Sequence, residues 1–430
     1  MRGIGKDWAL NYNCFMRDKV LEKLIKAETE RQAETINLIP SENVVSKEVL
    51  AALGSPLTNK YSEGYPAKRY YAGNKIIDKI ENLAIERARK IFNLTDRWHV
   101  NVQAYSGSPA NMAVYYALLK PGEKLMGMSL PFGGHLTHGW KVNFSSRFYQ
   151  SVQYGVGRDG YINYKEVGKL AKKEKPKIIV AGATAYPRTL DFKKFGAIAK
   201  EIKAYLVADI SHLAGLIVAK THPSPFLYAD IVMTTTHKTL RGPRGALIFA
   251  NCQSPIAKHY GINISDAIDK AVFPGLQGGP HNNQTAAISQ CLYEAQQPFF
   301  KKYGRQIVKN AKALAHQLRK LGFQLVSEGT DNHLMLIDLT NLGIASREAQ
   351  DQLEQAGIIV NRNTIPYDTR SAFEPSGLRL GTPAVASRGM KEKEMEKIAE
   401  WIYKILIKKE DPKLIRKEIK SLLKKFPLPY

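Results

Sequence analysis

Cysteine is scarce in this sequence. Only Cys14, Cys252 and Cys291 occur among 430 residues, and they lie far apart, are odd in number and lack the short spacings that bind metal ions. A disulfide framework and a cysteine-based metal site are therefore excluded as organising features. Such low cysteine use is typical of a reducing compartment, so the sequence predicts a cytoplasmic protein.

Long apolar runs are also missing. No segment approaches the roughly 20 apolar residues that a transmembrane helix needs. The opening residues, MRGIGKDW, lack the apolar core of a signal peptide. We therefore expect no association with a membrane.

Acidic residues are few beside the basic ones: 39 Asp and Glu against 63 Lys and Arg give a net charge of +24. The basic residues are dispersed, whereas a nucleic-acid-binding protein normally clusters them on a recognisable module. We expect no nucleic-acid partner. A basic protein that binds RNA or another polyanion is kept as an alternative, and the positive field favours anionic substrates.

The segment from Thr234 to Gly245 reads TTTHKTLRGPRG and lies between two apolar runs, 229–234 and 246–250, that are predicted strands. A lone exposed lysine would be unremarkable, but Lys238 follows a strand that should be buried. A buried lysine tends to lose its proton, and a neutral amine attacks a carbonyl to form a Schiff base. Lys238 is therefore a candidate to hold an aldehyde cofactor.

Apolar segments along the chain alternate between helical and strand periodicity, which predicts an α/β fold with a mostly parallel sheet covered by helices. Helices are predicted at 14–35, 47–53, 74–92, 192–202, 282–321, 346–356, 391–407 and 411–425, with one more ending near 119. Strands are predicted at 100–103, 125–128, 177–182, 205–209, 229–234, 246–250, 324–326, 333–339 and 358–360. This length predicts more than one domain: an N-terminal arm with a helix (1–35), a large domain (36–300) and a smaller α+β domain (301–430).

Five polar residues each follow a predicted strand: Ser106, His135, Thr184, Asp209 and Lys238. In parallel sheets ligands bind beyond the carboxyl ends of the strands, so these side chains are expected to meet. Helix capping remains an alternative for Asp209, and it is the simpler interpretation of Ser41 and Asn43, which precede the helix predicted at 47–53.

These residue types fit pyridoxal phosphate. A carboxylate at Asp209 pairs with a protonated pyridine nitrogen, and Lys238 carries the aldehyde. Ser106, Gly107 and Ser108, at a helix N-terminus, form a phosphate cradle. His135 is placed to stack on the ring, and His212 lies just past the acid. His135 and His138 alone do not make a metal site, and none is predicted.

Arg379, two residues before Gly-Thr-Pro, is a candidate carboxylate clamp, with an internal ion pair as the alternative. Two loops complete the candidates. The loop 59–73 is rich in tyrosine, which is typical of an interface or a binding site. The loop 274–281 is rich in glycine and begins and ends near proline.

Nearly the whole chain resembles the serine hydroxymethyltransferase family. The segments that carry the resemblance are Leu38–Asn43, Asn59–Tyr71, Ser106–Asn111, Gly133–Gly139, Asp209–Leu216, Thr234–Gly245, Pro274–Pro280 and Gly377–Pro383. The resemblance implies a fold-type I pyridoxal-phosphate enzyme that forms a homodimer or a dimer of dimers. It implies transfer of a one-carbon unit between serine and tetrahydrofolate, which gives glycine and 5,10-methylenetetrahydrofolate.

The resemblance also implies residue roles. Lys238 resembles the Schiff-base lysine, Asp209 the partner of the pyridine nitrogen and His135 the stacking ring. The implied cofactor-binding set is Tyr61, Ser106, Gly107, Ser108, His135, Thr184, Asp209, His212, His237, Lys238, Gly278 and Gly279. The implied catalytic set is Lys238, Glu63, His212 and Tyr71. The implied amino-acid-binding set is Ser41, Glu63, Tyr71, His212 and Arg379. The implied folate-binding set is Glu63, Tyr70, Leu130, Gly134, Leu136 and Asn363.

By the same resemblance, Tyr61, Glu63, Gly278 and Gly279 serve the site of the neighbouring subunit. The closest rival activity is a pteridine-independent aldolase that acts on β-hydroxy amino acids with the same lysine. Retention of Glu63 and Asn363 argues against that activity as the main one. The sequence does not distinguish tetrahydrofolate from a modified pterin.

Overall fold

The computed structural model describes residues 17–371 and 373–430. Its α-helices within these residues are α1 (Lys19–Ala33), α2 (Lys47–Leu53), α3 (Lys75–Ile91), α4 (Gly107–Leu118), α5 (Phe144–Phe148), α6 (Tyr164–Glu174), α7 (Phe192–Glu201), α8 (Ala214–Val218), α9 (Pro255–His259), α10 (Ile264–Lys270), α11 (Asn282–Ala295), α12 (Pro298–Lys320), α13 (Ser346–Ala356), α14 (Pro383–Ser387), α15 (Glu392–Leu406) and α16 (Pro412–Leu423).

The strands are β1 (Ile36–Asn37), β2 (Gly64–Tyr65), β3 (Lys68–Arg69), β4 (Trp98–Asn101), β5 (Lys124–Met128), β6 (Gln150–Tyr154), β7 (Ile178–Gly182), β8 (Tyr205–Asp209), β9 (Ile231–Thr235), β10 (Ala246–Asn251), β11 (Gln324–Leu325), β12 (Leu334–Asp338), β13 (Ile358–Ile359), β14 (Asn361–Asn363) and β15 (Gly377–Gly381).

Among the described residues, seven strands form the central sheet in the order β4-β10-β9-β8-β7-β5-β6. The strands β6, β5, β7, β8 and β9 pair in parallel. Strand β10 runs the other way and is antiparallel to both β9 and β4. The carboxyl ends of β4, β5, β7, β8 and β9 therefore share one edge of the sheet, which confirms the predicted α/β class.

Burial on both faces explains why these strands are continuously apolar. Every residue of β7, β8, β9 and β10 is buried. Side chains of alternate residues enter two separate apolar cores, one on each face of the sheet. A strand covered on both sides has no solvent face on which polar residues would alternate.

A second, antiparallel sheet has the order β11-β12-β15-β14 and its own apolar core. The short strand β1 pairs in parallel with β13, and Ile36 and Leu38 pack into this second core. Helix α12 joins the two regions, because Phe300 lies in a core of the central sheet and Leu318 lies in the second core.

Several predicted bounds differ from the structure. The helix predicted at 14–35 begins at Lys19, after Asp18 caps its first turn; the part of that prediction before residue 17 lies outside the described residues. The helix predicted at 282–321 is two helices, because Pro298 starts a new one after Gln297. Strand β4 begins two residues earlier than predicted, and β6 was not predicted.

Helix α2 is capped by Ser46, whose hydroxyl accepts from the N–H of Val49, so capping by Ser41 or Asn43 is wrong. Among the described residues, no helix is both long and apolar enough to cross a bilayer.

Candidate active site

Lys238 lies three residues beyond the end of β9 and is only 8% exposed. Its Nζ donates to Thr235 Oγ1 at 3.1 Å. Burial lowers the pKa of Lys238 to about 8, and the positive charges of Arg379 and Arg244 act in the same direction, whereas Asp209 opposes them. At pH 7 about a tenth of this amine is therefore neutral, far more than of an ordinary lysine, and the neutral form is the one that nucleophilic attack requires.

The loop that carries Lys238 is fixed by a residue far away in the sequence. Asn43 Nδ2 donates to the Lys238 carbonyl at 2.7 Å and to Tyr303 Oη at 2.6 Å. Tyr303 in turn donates to the carbonyl of Thr239 at 3.3 Å. Neither Asn43 nor Tyr303 was assigned this task from the sequence, since no local pattern links them to residue 238.

Asp209 ends β8 and is 7% exposed. One carboxylate oxygen accepts from His138 Nε2 at 2.9 Å and from Asn111 Nδ2 at 3.0 Å, and the other accepts from the N–H of Ser211 at 3.0 Å. Burial raises the pKa of Asp209, but His138, His135 and Ser211 outweigh it and hold the pKa well below its usual range. The carboxylate is therefore a fixed negative charge and not a helix cap.

His138 and Asn111 are functional candidates that were missed from the sequence. The available signals were spacings. His138 is three residues after His135, and Asn111 is one helical turn after Gly107, on the same face of α4.

His135 and Thr184 lie beside these groups. His135 Nδ1 shares a hydrogen with Thr137 Oγ1 at 2.7 Å, and burial lowers the pKa of His135 to about 4, so its ring is neutral. Thr184 Oγ1 donates to the Gly134 carbonyl at 2.5 Å. A side chain at Gly134 would overlap the Met128 carbonyl, so this turn requires glycine.

Arg379 lies on β15 and reaches from the second sheet toward this edge. Its Nη1 donates to the Thr184 carbonyl at 2.9 Å and its Nε donates to Asn361 Oδ1 at 3.1 Å. Burial lowers the pKa of Arg379 to about 10. No acidic side chain among the described residues forms an ion pair with it, which removes the alternative of an internal ion pair. The guanidinium is thus a cation available to an anionic ligand.

The N-terminus of α4 fits a phosphate. Ser106 forms no side-chain capping bond, and a side chain at Gly107 would come within 2.7 Å of Thr235 Cγ2. The hydroxyls of Ser106 and Ser108 make no hydrogen bond within the described chain. Free N–H groups and the positive end of the helix dipole therefore face the same region as Thr235, the partner of Lys238.

His212 follows Asp209 closely and is buried. Its Nδ1 lies 3.0 Å from Nε2 of His333, which precedes β12. Its pKa is lowered well below the usual range by burial and by the positive charges of Lys238 and Arg379. His237 is also neutral, because burial lowers its pKa to about 3, and its Nδ1 has no partner within the described residues.

The tyrosine-rich and glycine-rich loops form a separate group. A side chain at Gly279 would come within 3.1 Å of the Tyr61 ring, and one at Gly278 within 3.4 Å of Glu63 Oε1. Tyr61 and Glu63 are joined by a 3.3 Å hydrogen bond. Within the described residues, no hydrogen bond links Tyr61, Glu63 or Tyr71 to Lys238, Asp209 or Arg379. Tyr61, Tyr70 and Tyr71 are 52%, 80% and 48% exposed.

The remaining candidates lie around these two groups. Leu130 begins a short helical turn before Gly134, and Leu136 is 44% exposed. Asn363 ends the edge strand β14 and donates to the Thr364 carbonyl at 2.7 Å. Ser41 lines a cavity of about 450 Å³ that His237 also borders.

These features define a fold-type I enzyme that uses pyridoxal phosphate. The sheet is mostly parallel, a buried lysine and a buried carboxylate lie at one edge of it, and a helix N-terminus that can bind a phosphate lies nearby. The residues present fit that cofactor: Asp209 is a fixed anion, Lys238 is a partly neutral amine, and the hydroxyls of Ser106 and Ser108 are unpaired. The chain belongs to the serine hydroxymethyltransferase family, whose sequence model, described as "Serine hydroxymethyltransferase", matches residues 15–402.

Curated relatives of the same family match this chain along nearly its full length. A protein named serine hydroxymethyltransferase from Acidothermus cellulolyticus is 54% identical over 422 residues, which cover 96% of each chain. Proteins of the same name from Desulfotalea psychrophila and Sorangium cellulosum are each 52% identical over 416 residues, which cover 96% of this chain and 95% of theirs.

Proposed function

We propose that this protein interconverts serine and glycine, with tetrahydrofolate as the one-carbon carrier and 5,10-methylenetetrahydrofolate as the second product. The observation that carries the proposal is the buried Lys238, whose pKa is lowered to about 8, beside the charged Asp209 in a chain of the serine hydroxymethyltransferase family. The pteridine-independent aldolase is not favoured, because all three curated relatives carry the transferase name.

Pyridoxal phosphate would be held by Lys238, by Asp209 at its pyridine nitrogen, by His135 against its ring and by Ser106, Gly107 and Ser108 at its phosphate. Thr184, His212 and His237 complete the cofactor-binding set from the same subunit. When bound, the cofactor supplies an electron sink that stabilises negative charge developing at the substrate α-carbon.

Side chains of the protein bind the substrate and hold the charges of the site in place. Arg379 binds the carboxylate of the amino acid, because its guanidinium is not engaged by any acidic side chain among the described residues. Asp209 keeps a fixed negative charge where a cationic ring nitrogen needs it, and His138 and Asn111 hold that carboxylate in place. Ser41 is assigned to the amino-acid-binding set.

Proton transfer is assigned to Glu63. A carboxylate within reach of the serine hydroxyl or of a folate nitrogen acts as general acid and base. Tyr71 and His212 are assigned to the catalytic set with Lys238 and Glu63. The folate would contact Glu63, Tyr70, Leu130, Gly134, Leu136 and Asn363.

We further propose a homodimer with shared sites, alone or paired as a dimer of dimers. Tyr61, Glu63, Tyr70, Tyr71, Gly278 and Gly279 would complete the site of the partner subunit. The exposed tyrosines support this proposal, because contiguous exposed aromatic surface favours burial against a second chain. We also propose a large domain at 36–300, a smaller domain at 301–430, an N-terminal arm at 1–35 and a cytoplasmic location.

Removing the negative charge of Asp209 should change the chemistry of Lys238 in a predictable direction. Asp209 raises the Lys238 pKa, so Asp209→Asn is expected to lower that pKa by about one unit from its value of about 8. Only the neutral amine attacks an aldehyde, so the rate of pyridoxal-phosphate attachment to the cofactor-free protein should reach half its maximum at a lower pH. Stopped-flow absorbance at saturating cofactor measures this midpoint.

Asp351→Asn is the matched control, because Asp351 is an exposed carboxylate on α13. It should leave the pH midpoint of cofactor attachment unchanged. An unchanged midpoint in Asp209→Asn would show that Asp209 does not act on the lysine.

The transferase activity is tested by serine cleavage with and without tetrahydrofolate. Glycine formation from serine should depend on tetrahydrofolate, and Asn363→Ala should raise the KM for tetrahydrofolate about 2- to 10-fold, as expected for one hydrogen bond of about 0.5–1.5 kcal/mol. Cleavage of a β-hydroxy amino acid that needs no pterin serves as the control and should be unaffected by Asn363→Ala. Glycine formation that is indifferent to tetrahydrofolate would favour the aldolase.

A further inference from the structure

His212 is bonded to a second buried histidine, His333. The two rings are 5.3 Å apart at 31° to each other, and His212 and His333 are 3% and 0% exposed. Their contact joins His212 Nδ1 to His333 Nε2 at 3.0 Å. The outer nitrogens, His212 Nε2 and His333 Nδ1, are buried and have no partner within the described part of the chain.

Both rings are electrically neutral. Burial lowers the pKa of His333 to about 3 and that of His212 well below its usual value. The positive charges of Lys238 and Arg379 lower the pKa of both rings. His333 lowers the pKa of His212 by more than Arg379 does. His222 lowers the pKa of His333 by more than Lys238 does. A neutral imidazole carries one N–H, so one hydrogen lies between the rings and one lies on an outer nitrogen.

The position of the outer hydrogen follows from where a ligand can reach. If His212 donated to His333, the remaining N–H would lie on His333 Nδ1, which is buried, has no partner among the described residues and belongs to a residue that directly precedes strand β12 in the second sheet. If His333 donates, the remaining N–H lies on His212 Nε2, which is equally buried and also lacks a partner among the described residues. His212, however, lies three residues beyond the end of β8, at the sheet edge where the proposed ligands bind and where a ligand oxygen can accept this hydrogen. Orphaned buried N–H groups are rare in native structures, so the second arrangement is favoured.

We propose that His333 is a positioning residue: it donates Nε2–H to His212 Nδ1 and thereby keeps the N–H of His212 on Nε2, directed into the site. This inference rests on the proposed function for its consequence in catalysis. It assigns His212 the role of a hydrogen-bond donor, to a ligand oxygen such as the phenolic oxygen of the cofactor or an oxygen of the amino acid.

The backbone links this pair to the carboxylate clamp. His333 directly precedes β12, which pairs with β15 so that Leu336 lies opposite Arg379. The His333 carbonyl accepts from the N–H of Thr382 at 3.1 Å. Arg379 and the partner of His212 are therefore both held by the hydrogen bonds that join β12 to β15 and His333 to Thr382.

The tautomer is tested directly by long-range proton–nitrogen NMR of the full-length protein labelled with ¹⁵N-histidine, with and without pyridoxal phosphate. His212→Asn identifies the signals of His212. We expect its hydrogen on Nε2 in both states of the wild-type protein; a hydrogen on Nδ1 would overturn the proposal.

Two substitutions separate the hydrogen bond from packing. His333→Gln retains an N–H donor, and His333→Phe fills the space without one. His333→Phe leaves His212 Nδ1 without its donor. It is expected to lose the fixed tautomer of His212, to weaken binding of pyridoxal phosphate to the cofactor-free protein about 10- to 100-fold, and to lower kcat for serine with little change in KM. His333→Gln should stay close to wild type in all three measurements.

Unchanged His212 signals in a folded His333→Phe variant would overturn the proposal. If that variant does not fold, the wild-type spectrum and His333→Gln still decide the point. The tautomer does not depend on serine turnover, so a failure of serine–glycine interconversion would remove the proposed function and leave the His333 result standing.

Discussion

Lys238→Ala is expected to fold normally and to lose serine–glycine interconversion by at least about 10³-fold, the scale on which loss of a covalent catalyst acts. Lys238 is 8% exposed, and within the described residues its amine donates only to Thr235. Removing a buried amine leaves no carboxylate unpaired, because Asp209 is bonded to His138, Asn111 and Ser211 instead. Circular dichroism and thermal unfolding should therefore stay close to wild type.

A second substitution distinguishes the nucleophilic role of Lys238 from the effect of its positive charge. Lys238→Arg keeps a positive charge but has no neutral amine at accessible pH, so it should be as inactive as Lys238→Ala. Lys194→Ala, whose side chain is 61% exposed, is the matched lysine control and should retain full activity. Borohydride should fix pyridoxal phosphate on residue 238 of the wild-type protein, as peptide mass spectrometry would reveal. Normal turnover in Lys238→Ala would refute the assigned role.

Mixed dimers of Lys238→Ala and Glu63→Gln subunits are expected to recover activity that neither parent has. If Glu63 serves the partner's site, a mixed dimer contains one site with both wild-type groups and one site with neither. Random assortment then gives about a quarter of the wild-type activity, since half of the dimers are mixed and each has one working site. Glu63→Gln alone should lose about 10²- to 10⁴-fold, as expected for a general acid–base group.

Co-expression of the two variants with different affinity tags isolates the mixed dimer for assay. The control combines both substitutions in one subunit and mixes it with wild type; the mixed dimer should then be inactive. A purified Lys238→Ala/Glu63→Gln mixed dimer as inactive as its parents would show that Glu63 acts within its own subunit. Glu63 lies near Gly278, where an added side chain would come within 3.4 Å of its Oε1, and within the described residues it forms no hydrogen bond with Lys238. This separation of Glu63 from Lys238 is the structural reason to expect a shared site.

Local sequence predicts the bounds of a helix or strand correctly where the hydrophobic pattern of that one segment is clear. Strand 205–209 and helices 47–53 and 346–356 were predicted with the bounds that the structure has. A strand covered on both faces is a short unbroken apolar run, and a short amphipathic helix shows its period directly. Strand β6 was missed because it is an edge strand with polar residues, QSVQY, and pairs with β5 alone in the part of the chain that the structure describes.

Pro298 is the residue in the sequence that indicates the break between α11 and α12. Proline at residue 298 is tolerated in the first helical turn and is disfavoured inside a helix. A continuous apolar period across residues 282–321 concealed the change of direction, because periodicity reports which face is buried and not where the axis bends.

The sequence by itself determined the chemistry at the strand ends. Lys238, Asp209 and Thr184 each follow a recognisable apolar strand, and parallel strands bring their ends to one edge. Only the tertiary structure decided which groups control them: Asn43 at the carbonyl of Lys238, His138 at Asp209 and His333 at His212. These contacts join segments that are 71 to 195 residues apart. Local periodicity and capping patterns act over a few residues, so they encode each segment but not the partner that folding places against it.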